Sequence, residues 1–383
     1  MAGASFGGTT FVRRVGAVAA VGGGLLALAG CNLGAPGITY PVTATGNYAT
    51  DLALGDLDGD GDVDAVAAVN GGYAVGLNDG SGRFAVTQAR TTPAPGWTTT
   101  LGDVDGDRHL DLVYVAPPPS ADPPQIEVRR GDGTGRFATT RQVLPSGHAP
   151  HDLAVGDLDG DDDLDVMAAT TGGLDVWLND GRGRFDRPFA VDTGINPSDV
   201  AASDLDGDGD LDLVTGGYAP SDGVSVNLGD GAGGFSDPAT YDLGPVDGFS
   251  GTTTIGVADM NEDGAPDVYG GNNTFDQVFV LPGTGDGRLG PAVLSPARTR
   301  TVPDVVAADI DVDGHLDLAT SGSTVLFGDG TGSFPEEHPV YGGSLVATAD
   351  LDANGQPDLA YADGANMRVL LNHLDGRRDH DEG

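Results

Sequence analysis

Seven copies of a nine-residue acidic pattern, DxDxDGxxD with a few departures, divide this 383-residue chain into stretches of about fifty residues. The copies begin at Asp56, Asp103, Asp157, Asp204, Asp259, Asp309 and Asp350, between 41 and 55 residues apart. That is the period expected of propeller blades.

The residues around each copy repeat as well. In the first, ATDLALGD alternates apolar positions, the acidic loop follows, and DAVAAVNG and YAVGLND lead into GSGRFAVTQA, a reading of four short strands. A glycine-rich tight turn joins the third strand to the fourth and recurs as GDGTGRF, NDGRGRF, GDGAGGF, GTGDGRL and GDGTGSF. Its aromatic residue, at Phe84, Phe137, Phe185, Phe235 and Phe334 with Leu289 as the substitute, is expected to pack between neighbouring sheets. The copy at Asp350 stops after three strands, while ITYPVT at the other end has no partner. These features predict an all-β fold, a seven-bladed β-propeller with four-stranded antiparallel blades. An N-terminal strand at about residues 38–43 is expected to complete the last blade and close the ring, removing two exposed sheet edges.

The chain carries 58 acidic residues against 18 basic ones, every one of them Arg, for a net charge of -40. Such a balance argues against nucleic acid as a partner. Much of the acidity is local: positions one, three, five and nine of the seven loops hold 26 Asp and two Asn. Clustered like charges would destabilise an empty loop, so the pattern points to a bound cation. Calcium, a hard ion that takes six to eight oxygens, suits such a donor set. EF-hand and dockerin loops begin with a similar alternation but carry an acid at position twelve. Here that position is Ala67, Tyr114, Ala168, Thr215, Gly270, Thr320 or Tyr361, and the flanks alternate as strands do.

The loop and the NDGxGxF hairpin together resemble the FG-GAP or VCBS repeat of integrin alpha-subunit heads and of many bacterial surface proteins, over nearly the whole chain after its leader. The resemblance implies up to seven structural Ca2+ ions, each held by side chains at positions one, three, five and nine and by the carbonyl of position seven. In blade one these are Asp56, Asp58, Asp60 and Asp64 with the carbonyl of Asp62; in blade two, Asp103, Asp105, Asp107 and Asp111 with that of His109. Blade three supplies Asp157, Asp159, Asp161 and Asp165 with Asp163, and blade four Asp204, Asp206, Asp208 and Asp212 with Asp210. Blade five supplies Asp259, Asn261, Asp263 and Asp267 with Ala265, blade six Asp309, Asp311, Asp313 and Asp317 with His315, and blade seven Asp350, Asp352, Asn354 and Asp358 with Gln356. Arg108 and Asp162 replace the loop glycine of blades two and three, Asn261 and Asn354 each remove a charge, and Pro266 and Pro357 stiffen their exits, so binding is expected to be weaker there. Arg108 is expected to need positive φ.

Residues 1–30 read as an export signal, with Arg13 and Arg14 ahead of a small, apolar run from Val15 to Ala29. The run ends in LALAGC, which resembles the lipobox of bacterial lipoproteins and implies a lipid on Cys31, the one cysteine of the chain. Residues 31–37 then form a lipidated tether, 38–376 the propeller and 377–383 an acidic tail. The expected location is extracytoplasmic, anchored to the bacterial cell envelope at the cell surface or outer membrane. With a single cysteine no intrachain disulfide can form, so packing and ions must supply stability.

Strand parity places the acidic loops and tight turns on one face of the ring and the irregular insertions on the other. Loops bear function more often than the scaffold does, so Trp97, His148, His151, Tyr218, Phe249 and Phe275 are candidates for a ligand-binding face. The Arg130–Gly131–Asp132 tripeptide lies where a strand meets the tight turn, and the His148/His151 pair has no evident third metal ligand. No Lys-bearing phosphate loop, HExxH or GxSxG occurs, and no enzyme is expected. The expectation is a non-catalytic adhesion or recognition module for a protein or glycan. The alternatives are a lectin-like glycan binder and, last, a polysaccharide lyase or quinone-dependent dehydrogenase acting over the channel.

Overall fold

A computed structural model describes residues 38–41, 49–69, 72–90, 98–116, 124–218, 223–243, 252–272, 277–297, 302, 304–364 and 366–373. Residues 1–37, with Cys31 and the expected leader and tether, and residues 374–383 lie outside these.

Every regular element among the described residues is a strand. Seven four-stranded antiparallel sheets form, six of them from four consecutive strands. Blade one, for example, consists of Ala49–Gly55, Asp64–Val69, Gly72–Asn78 and Phe84–Arg90. The last sheet joins Leu345–Ala349, Asp358–Asp363 and Asn366–Leu370 to Ile38–Pro41, which pairs antiparallel with the third of these, Ile38 opposite Val369 and Pro41 opposite Asn366. First strands of successive blades lie side by side, including that of the last blade against that of the first, so the sheets stand in a ring.

The ring explains why the second strands do not show simple alternation. Asp64–Val69, Asp111–Ala116 and Asp165–Thr170 are buried at all six positions, because each blade is covered on both faces by its neighbours. Polar exposure is left to the fourth strand, as in Phe84–Arg90, where only Phe84 is buried. Seven apolar clusters result, one between each pair of adjacent blades. The tight-turn residues Phe84, Phe137 and Leu289 sit in these clusters and Phe185, Phe235 and Phe334 pack against them, as expected from the sequence.

Candidate metal centres

Each acidic loop joins the first strand of its blade to the second and folds around its first residue. In all seven, one carboxylate oxygen of position one accepts the N–H of position six, from Asp56 with Gly61 (3.2 Å) to Asp350 with Gly355 (2.8 Å). The side-chain oxygen of position five accepts the N–H of position seven at 2.7–3.1 Å. These bonds curl the backbone of the loop.

The curl needs left-handed backbone twice per loop, at positions four and six. Blades one to four place Gly at position four, whereas blades five to seven place Glu262, Val312 and Ala353 there, with φ of 57–59°. At position six, Arg108 (φ 73°) and Asp162 (φ 69°) adopt the conformation that glycine holds elsewhere. A left-handed L-residue costs about 1–2 kcal/mol and a β-branched one more, while glycine returns about 0.5–1 kcal/mol of that as unfolded-chain entropy. Val312 is half exposed and buries little. Val312→Gly is therefore expected to raise stability by about 0.5–1 kcal/mol, read as a higher thermal midpoint in metal-stripped protein; a lower midpoint would contradict the strain.

Positions one, three and nine converge. In blades one, two, three, four and six, one oxygen from each of the three aspartates lies within 4.8 Å of the others: Asp56, Asp58 and Asp64 in blade one, Asp204, Asp206 and Asp212 in blade four. These triads could hold metal ions. Position five stays outside them, engaged with position seven. Position nine has a second task the sequence did not reveal. Asp64, Asp111, Asp165, Asp212, Asp267, Asp317 and Asp358 are buried, and each bonds backbone N–H groups with both oxygens. Asp165, for example, accepts from Leu158 within the loop (2.9 Å) and from Asn179, at the start of the tight turn that follows the third strand (2.8 Å). Burial raises these carboxyls, to about 7 for Asp64, Asp111, Asp165 and Asp317 and about 6 for Asp267 and Asp358, with nearby loop aspartates adding and the backbone N–H bonds opposing. Asp311 is likewise raised to about 6 by burial and then by Asp313 and Asp309.

Position two links each loop to the next blade. Leu57, Val104, Leu158, Leu205, Met260, Ile310 and Leu351 are all buried in the seven inter-blade clusters. Their carbonyls accept hydrogen bonds from the following blade around the whole ring. The donors are hairpin amides in four cases, Gly135, Gly233, Gly287 and Gly332, and the side-chain amides of Asn179, Asn372 and Asn78 in the others. An apolar residue at position two of every copy was the available signal.

A second set of inter-blade links lies near the start of the first strands. Asp51, Asp152, Asp199 and Asp304, each five residues before a loop, are buried and accept the N–H of Thr99, Val200, Ile255 and Val346 in the next blade at 2.8–3.2 Å. Thr98 Oγ1 lies 2.9 Å from Asp51 and 3.0 Å from Asp152, joining blades one to three.

Of the candidate ligand-face residues, His148 and His151 are exposed, and the His148 ring lies over Gly172 at the next strand turn. Trp97, Phe249 and Phe275 lie outside the described residues, as does the Tyr218 side chain. Arg130 of the tripeptide is engaged with Asp105 at 2.5 Å.

A family model for the FG-GAP-like repeat matches residues 56–114, 103–168, 158–215 and 259–320, more than half of the chain. The chain belongs to the FG-GAP-like repeat family. No curated protein matches it. Among solved structures, this FG-GAP-like propeller is similar to BBS1N, solved in complex with ARL6DN, at 13% identity and a TM-score of 0.59 over 90% of this chain and 97% of that one. It is also similar to a protein from Lactobacillus plantarum, at 15% identity and a TM-score of 0.56 over 78% and 86%. An Agrocybe aegerita lectin, described as recognising non-reducing terminal N-acetylglucosamine, shares 25% identity at a TM-score of 0.47. That match covers 63% of this chain and spans 65% of the lectin. The likenesses concern the fold.

Proposed function

We propose that this FG-GAP-like propeller is a calcium-loaded, lipid-anchored recognition module displayed outside the cytoplasm of a bacterium, without catalytic activity of its own. The observation that carries the metal part is the convergence of three carboxylates in the loops of blades one, two, three, four and six, together with position-three oxygens left without a protein partner. Asp105 Oδ1, Asp159 Oδ1 and Asp352 Oδ1, all at position three, are buried and accept no hydrogen bond among the described residues. A buried carboxylate oxygen in that state favours a cation beside it. The donors are all oxygen, as calcium requires, with positions one, three, five and nine and the position-seven carbonyl as its ligands. The ion supplies charge neutralisation. Extracellular calcium modules bind at roughly 0.1–1 mM, so the loops would fill outside the cell.

The anchoring part rests on Cys31 and the residues ahead of it. Replacing Cys31 by Ser is expected to abolish palmitate labelling and release the protein from the membrane fraction; a retained label would rule out Cys31 as the acceptor. Recognition is assigned to the face opposite the metal loops, where His148 and His151 are exposed, with a protein or glycan as partner. Native mass spectrometry of the protein in calcium, followed by glycan-array and protein-binding measurements with and without chelator, tests the module as a whole. Absence of bound calcium at millimolar concentrations would end the metal part of the proposal.

A further inference from the structure

We infer that Arg130 serves blade two as a built-in cation, occupying the place beside Asp105 that a metal ion would otherwise take, so that this loop binds calcium more weakly than those of blades one, three and four. The inference rests on the calcium reading of the loops and concerns one residue that departs from the repeat. The position that precedes the tight turn is Leu77 in blade one, Leu178 in blade three, Leu228 in blade four, Pro282 in blade five, Phe327 in blade six and Leu371 in blade seven. In blades one, three, four and seven this leucine packs against the tight-turn glycine of the following blade, as Leu77 does at Gly135 and Leu371 at Gly82. Blade two alone places a charged side chain there.

The geometry shows what the charge does. Arg130 Nη1 lies 2.5 Å from Asp105 Oδ2, and Nη2 donates to the carbonyl of Arg182, in the tight turn of blade three, at 2.6 Å. The guanidinium thus spans the slot between the acidic loop of one blade and the hairpin of the next, and the ion pair takes over the leucine's bridging contact. Its carboxylate partner is almost fully buried, with a side chain 4% exposed, whereas Arg130 itself reaches solvent. Asp105 is also a member of the blade-two triad with Asp103 and Asp111. A divalent ion bound by that triad would sit next to a fixed positive charge. One carboxylate charge of its four would already be balanced.

Calcium affinity follows the count of ligand charges. A guanidinium a few ångströms away, in surroundings less polar than water, weakens binding by about tenfold or more. The loop keeps its shape without the ion, because the position-one and position-five bonds are intact in blade two and Asp105 has its partner. A cavity of about 190 Å³ bordered by Val104, Arg141 and Gly183 lies beside Arg130, so a smaller side chain can be accommodated.

The test is lanthanide occupancy, site by site. Crystals of the protein are equilibrated with a limiting amount of Tb3+, and anomalous peak heights are compared between loops, with blade four as the internal standard. In the wild type the blade-two peak is expected to fall below about one-third of that in blade four, for a tenfold difference in affinity. Arg130→Leu, which installs the residue of four other blades, should bring it up to the level of blade three. Arg130→Gln, which keeps a donor for the Arg182 carbonyl but lacks charge, should do the same. Equal filling of blades two and four in the wild type overturns the inference. So does a blade-two peak that stays weak in both variants, because the strained Arg108, present in all three proteins, would then be the cause. No peak in any loop would overturn the metal reading itself.

Discussion

Removal of calcium at pH 7.5 is expected to lower the melting temperature by about 10–15 °C. Seven ions present at about ten times their dissociation constants add on the order of 1.4 kcal/mol each, about 10 kcal/mol together, comparable to the whole stability of an ordinary domain. The effect should spread beyond the loops, since position two of every loop plugs the interface with the next blade. The pH dependence should differ in sign with and without the ion. In metal-stripped protein burial raises all the position-nine carboxyls, Asp64, Asp111, Asp165, Asp267, Asp317 and Asp358 from 3.8 to about 6–7 and Asp212 in the same direction. A raised folded pKa means that their stabilisation is complete below about pH 4 and is lost as pH rises through 7. Stripped protein should therefore melt higher at pH 5 than at pH 8. Calcium needs the same groups ionised, so its increment should be small at pH 5 and largest at pH 8. Parallel pH profiles with and without calcium would contradict the assignment.

Asp165→Ala should destabilise the protein by about 3–5 kcal/mol in urea denaturation, and most of the loss should persist after calcium is stripped. The substitution orphans the buried N–H groups of Leu158 and Asn179, each worth about 1–3 kcal/mol. It also unties the loop from the tight turn of its blade. Asp161→Ala provides the contrast. Position five is exposed and accepts the N–H of Asp163 without holding a buried amide, so its loss should fall on the calcium-dependent part of the stability and leave stripped protein nearly unchanged. Equal losses in stripped protein for the two variants would show that position nine has no latch role.

Most of the architecture was readable because its signals are local. Asx side chains on alternate residues followed by a glycine mark a loop within nine residues, and the tight turn marks a hairpin within seven. The aromatic of that hairpin was also correctly placed between sheets, since a large apolar residue at a fixed point of every repeat has nowhere else to go. The five loop residues that hold positive φ without being glycine were harder. Arg108 stood out against a consensus glycine at position six, whereas Val312 lies at position four, where glycine occurs in only four copies and invites no comparison.

Sequence alone determined the number of blades, their four-strand composition and the acids that line each loop, because these depend on residues a few positions apart and recur seven times. Only the tertiary structure decided how the blades are joined. Asn78 reaches the carbonyl of Leu351, 273 residues away, Asp199 reaches the amide of Ile255, and Arg130 finds Asp105 and the next hairpin. Such contacts come into being when the ring brings distant copies edge to edge. Their partners are mostly backbone groups, which every residue carries and which therefore leave no mark in the sequence.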